Sequence, residues 1–135
     1  MEDILTLWGG PIIWHRTMAL LARWVLGILV IWATVAYWQK RPVGKAFLVI
    51  IAASELLMIV QSTVGGYFFL GLGMRPGSWV QHLLYGGLSL FTLPTVVYSI
   101  RNEVDQRRVA RIWAFTCLFM FGLTFRTATT GVMGG

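Results

Sequence analysis

The chain of 135 residues is 57% hydrophobic and only 12% charged, which leaves too few polar side chains to wet the surface of a small water-soluble domain. At about 20 apolar residues per crossing, it has length for four or five membrane helices and none for a separate soluble domain, so nucleic-acid binding and soluble hydrolase or dinucleotide chemistry fall away. The formal charge of +6 reads as lysine and arginine in cytoplasmic loops rather than as a footprint for an anionic partner, and a single cysteine, Cys117, rules out an intrachain disulfide, a redox pair or a thiolate cluster.

The first apolar stretch covers about residues 12–38. It has no cationic leader or cleavage site and is preceded by the acidic opening Met1-Glu2-Asp3, so it reads as a retained span and not as a signal peptide. Lys40-Arg41-Pro42-Val43-Gly44-Lys45 separates it from a second stretch, 46–70, and the Gly-rich segment 71–78 precedes a third, 79–100. Pro94 is expected to kink that third span. The polar run 101–108 leads to a fourth stretch, about 110–127, and the tail Thr127 to Gly135 reads as poorly anchored. Loops this short join antiparallel neighbours, so the expected fold is all-α: a single domain, 1–135, forming an integral membrane antiparallel four-helix bundle.

Basic residues give this bundle a direction. Lys40, Arg41, Lys45, Arg101, Arg107, Arg108 and Arg111 gather at the first and third loops, against Arg75 in the second loop and Arg126 near the C terminus. Cytoplasmic loops retain such cations, which predicts both termini outside, in a membrane of the prokaryotic plasma-membrane kind. Trp14, Trp38, Trp79 and Trp113 fall near the span ends, where indole prefers the headgroup layer.

The chain contains two histidines, His15 and His82, each within the first few residues of an odd-numbered span. Spans one and three run the same way, so both imidazoles come to the outer end, at depths differing by about 5–10 Å on a rise of about 1.5 Å per residue. Two facing neutral imidazoles can ligate a heme iron axially, which leaves no open position for oxygen or substrate and suits electron transfer. Small residues follow each histidine at helical spacing, Ala19 and Ala22 after His15, Gly86 and Ser89 after His82, and offer flat space to a macrocycle. The same small residues also suit close helix packing, and an interfacial histidine can simply be solvated. Arg16, Arg75 and Arg126 are the cations available at that end for heme propionates. Copper and zinc fit less well, because no carboxylate or cysteine lies at a matching depth.

Trp14-His15-Arg16, the late second-span run Gln61-Ser62-Thr63-Val64-Gly65-Gly66, a short Gly-rich loop and Gln81-His82-Leu83 occur in an order and spacing that resembles one half of the heme A synthase family, over residues 12–126. Members of that family are two tandem four-helix bundles, each with a His-Arg pair at the outer end of its first helix and a second histidine opening its third. The resemblance implies that His15 and His82 are the axial ligands of one heme and that Gln61 belongs to the heme-binding face. Three departures bear on activity. The family's glutamate three residues before its first histidine is here Ile12, the cysteine-containing outer loop of many members is absent, and one bundle stands where the family uses two. The resemblance therefore points to a one-heme, b-type membrane cytochrome without hydroxylation, passing electrons to or from other membrane redox subunits or a quinone.

Two charges fall inside the spans, Arg23 and Glu55. Each costs about 2.5–3.5 kcal/mol at the bilayer centre on insertion scales and needs a partner, water or, for the acid, a proton. Arg23 falls level with Gln61 and about 10 Å above Glu55, so the expected contact is Arg23 with Gln61. Glu55 reads as a hydrogen-bonded structural acid; its functional alternative is a proton carrier or ion-coupling group, as in a small four-span transporter or channel. A structural subunit of a respiratory or photosynthetic complex is the third reading.

Overall fold

A backbone that crosses hydrocarbon must satisfy its own polar groups, and the apolar runs do so as helices. The computed structural model describes residues 2–131 and contains α1 (Glu2–Trp38), α2 (Gly44–Gly71), α3 (Trp79–Ile100) and α4 (Gln106–Thr130), with no strand among the described residues. All four are long and apolar enough to cross a membrane. Successive helices pack on one another and α1 closes on α4, whereas the diagonal pairs, α1 with α3 and α2 with α4, do not touch among the described residues. The α1/α4 interface is the most extensive and the α2/α3 interface the lightest.

Local chemistry explains where the helices stop. At the end of α1, Lys40 takes the left-handed conformation (φ 55°), the Arg41 N–H donates to the Ala36 carbonyl (3.0 Å) and the Lys40 N–H to that of Tyr37 (3.2 Å). That is a Schellman cap with lysine where glycine is usual. Asp105 opens α4, its Oδ1 accepting from the N–H groups of Arg107 (3.0 Å) and Arg108 (3.3 Å). The Glu103 carboxylate pairs with Arg108 at 3.1 Å in the same turn.

The core lies towards the basic loops. Phe47 stands edge-on to Trp113 (5.7 Å between ring centroids) and to Trp32 (5.9 Å), with Leu26, Leu29, Cys117 and Met120 buried around them. Towards the opposite end, buried apolar side chains begin only at Ala22 on α1, stop at Met58 on α2, and begin only at Leu93 on α3. On α4 they continue to Leu123. The half of the bundle that carries the histidines is therefore packed mainly between α1 and α4.

Several expectations need correction. Trp113 is not an interfacial anchor: α4 begins at Gln106, two turns earlier, and the indole is 1% exposed against Phe47. Helix α1 starts at Glu2, well before the apolar stretch, because a helix needs only its own backbone bonds to extend past the hydrocarbon. The tail is anchored as far as Thr130, which is buried at the end of α4; residues 132–135, like Met1, lie outside the described residues. Helix α3 runs on through Pro94.

Candidate functional site

His15 and His82 stand at the same end of the bundle, on the two helices that face each other diagonally without contact, and near enough for a charge on one to act on the other. Each ring is held differently. His82 Nδ1 lies 3.1 Å from the Thr127 carbonyl of α4, which also accepts from the Gly131 N–H at 2.9 Å. A carbonyl only accepts, so Nδ1 carries the hydrogen, and a neutral ring keeps its lone pair on Nε2. The Thr130 hydroxyl lies 3.5 Å from the same nitrogen. The fit is close: a Cβ added to Gly131 would come within 2.9 Å of the His82 ring.

His15 packs edge-on to Phe68 of α2 (6.1 Å), and a Cβ on Gly65 would meet its Cε1 at 3.5 Å. Its Nδ1 is buried with no hydrogen-bond partner. Gln61 ties α2 to α1 at this level, Nε2 donating to the His15 carbonyl at 3.1 Å, while its Oε1 is likewise buried and unpartnered. A donor and an acceptor left unmade beside a histidine are unusual, since an unmade buried hydrogen bond costs about 1–3 kcal/mol.

The small residues divide into two groups. Ala22 is buried in the helix packing, and Ser89 is buried with its hydroxyl donated to the Tyr85 carbonyl (2.9 Å), so both serve close approach. Ala19 is half-buried, and Gly66, Gly86 and Gly87 have open space where a Cβ would stand. Arg16, Arg75 and Arg126 are exposed at this end, Arg75 lying over the faces of Phe69 (5.6 Å) and Trp79 (5.9 Å).

The intramembrane charges do not meet as expected. Arg23 turns to α4 and not to Gln61: Nε donates to the Thr124 hydroxyl (3.3 Å), Nη2 to the Thr124 carbonyl (3.1 Å), and the guanidinium covers the Phe125 ring at 4.1 Å. Glu55 is not the hydrogen-bonded acid anticipated, for its Oε2 is buried without a partner. It borders a cavity of about 560 Å³ between α2 and α3, with Ile59, Ser62 and Thr63 on its own helix and Leu90, Phe91 and Pro94 opposite.

Thr127, Phe68 and the cavity escaped sequence reasoning. Gly65, in the Gly-Gly pair next to Gln61, was the one sequence signal of a close approach to His15. No family model, curated protein or solved structure matches the chain, so the likeness to a heme A synthase half rests on the residues that carry it.

Proposed function

We propose that this chain is a single-bundle b-type membrane cytochrome, with one heme b between His15 and His82 near the outer face and both termini outside, in a prokaryotic plasma membrane. It would carry electrons within or to a respiratory or photosynthetic complex, and it is not assigned heme A synthesis. The observation that carries the reading is the His82 ring: its Nδ1–H is engaged by the Thr127 carbonyl at 3.1 Å, the outer-shell bond that orients a metal-ligating imidazole and leaves Nε2 to the metal. Further support comes from His15 across the unfilled diagonal, with open space beside Gly66, Gly86 and Gly87. A pair of imidazoles suits a metal whose remaining positions come from a macrocycle; bound heme supplies reversible one-electron iron chemistry. Within the protein, Thr127 holds His82 in one tautomer, Gln61 fixes α2 against α1 at His15, and Arg16, Arg75 and Arg126 offer guanidinium groups for propionates.

Visible spectra of the purified protein, oxidised and then reduced, test this directly. With heme supplied during expression, a reducible heme b spectrum is expected, and His82→Ala should abolish or alter it. A colourless wild-type preparation or an unchanged spectrum in the variant would overturn the assignment.

The unpartnered Glu55 beside its cavity supports a second reading, a small transporter or channel. In that case substrate binding would depend on Glu55 and survive loss of both histidines.

A further inference from the structure

The cavity between α2 and α3 lies below the histidines, about 12–18 Å further along α3 than His82 on a rise of about 1.5 Å per residue. Its walls are mostly apolar, and Ile59 and Phe91 at its edge are 45% and 68% exposed, so it communicates with the lipid-facing surface. At about 560 Å³ it is within the size of a small-molecule site, roughly 300–1,000 Å³.

Its polar groups are acceptors. Glu55 Oε2 is buried with no donor. On the opposite wall, Pro94 has no N–H, so the Leu90 carbonyl four residues earlier loses its helical donor inside the span. Ser62 contributes a hydroxyl, and Thr63 has already donated its own to the Ile59 carbonyl at 2.8 Å. Two under-satisfied acceptors facing each other across an apolar cleft select a flat, lipid-soluble molecule that brings hydroxyl or N–H donors at its two ends.

We propose that this cavity is a binding site for a membrane hydroquinone, one hydroxyl donating to Glu55 and the other to the Leu90 carbonyl, its ring beside Phe91 and its tail in the bilayer. The choice of a hydroquinone among donor-bearing amphiphiles rests on the cytochrome reading above. The site itself uses no residue of the histidine pair.

Equilibrium binding of a decyl-substituted benzohydroquinone to the full chain in detergent, held under argon, tests the site. Saturable binding is expected for wild type and equally for His82→Ala. Glu55→Leu should weaken it about tenfold, as expected for loss of one hydrogen bond to a charged group. Pro94→Ala, which restores a donor to the Leu90 carbonyl, should weaken it severalfold. The dimethyl ether of the same hydroquinone, which has no donors, should not bind. If Glu55→Leu fails to fold, Glu55→Gln takes its place and should still weaken binding, because its amide retains one acceptor without the charge. Equal binding of the dimethyl ether, unchanged affinity in both Glu55 variants, or tighter binding of decylamine than of the hydroquinone would each overturn the proposal. A colourless protein that binds the hydroquinone supports the site and removes the cytochrome; a heme-bearing protein that does not bind removes the site alone.

Discussion

At the scale of single residues, the chain's few polar side chains are mostly paired with backbone carbonyls. Gln61 reaches the carbonyl of His15, His82 that of Thr127, and Arg23 that of Thr124. In hydrocarbon a carbonyl is the acceptor always at hand, and using its second lone pair breaks no helical bond. This is also why these contacts could not be read from the sequence: every residue carries a carbonyl, so neither Thr127 nor Thr124 differs in type from its neighbours in that respect. That His15 and His82 share one end was legible, because helix direction follows from loop length. What each ring touches depends on helix rotation, which hydropathy does not encode. The His82 contact makes a sharp prediction through Gly131, whose missing Cβ leaves room for the ring. Gly131→Ala should displace His82 from the Thr127 carbonyl and lower stability by about 0.5–1.5 kcal/mol, the net worth of one hydrogen bond. Nitrogen-15 spectra of labelled imidazole check it: a protected His82 Nδ1–H signal should be present in the wild type and lost in the variant.

At the scale of elements, the four spans were readable because twenty-odd apolar residues between polar breaks have few other fates. The ends of α1 and α4 were less so. Helix α4 begins in an arginine-rich segment that hydropathy assigns to a loop, and its start is set instead by Asp105 bonded to two N–H groups. That earlier start turns Trp113 from a headgroup anchor into the centre of the core, against Phe47. Asp105→Ala should cost about 1 kcal/mol through loss of the cap, seen as an earlier unfolding midpoint in mixed detergent micelles. Lys40 gives the opposite sign. It holds a left-handed cap position that costs a side-chain-bearing residue about 1–2 kcal/mol, so Lys40→Gly should unfold later in the same assay, by rather less than that, because glycine gives up more freedom on folding. A midpoint that falls in Lys40→Gly would mean that the lysine's charge at that loop contributes more than its backbone strain.

At the scale of the whole molecule, the bundle is built as two unlike halves. Near the basic loops, Phe47, Trp113 and the buried leucines form a continuous core; near the histidines, α1 and α4 remain in contact while the diagonal between α1 and α3 is unfilled. Glycines report the same asymmetry. A Cβ on Gly27 of α1 would meet the Phe121 ring of α4 at 3.3 Å, whereas one on Gly86 of α3 meets nothing within 4 Å. Close packing answers added volume with strain, typically about 1–3 kcal/mol, while open space accepts it. Gly27→Leu should therefore destabilise the bundle by about that amount with the histidine end still intact in whatever fraction folds. Gly86→Leu should leave the unfolding midpoint of the ligand-free protein unchanged or slightly raised, since leucine is the better helix former by roughly 0.5–1 kcal/mol. If the space beside Gly86 is where a macrocycle sits, the same leucine should abolish heme uptake, measured as heme per protein after expression with heme supplied. A Gly86→Leu protein that folds and carries a full complement of heme would show that the cofactor, if bound by His15 and His82, lies elsewhere than over α3.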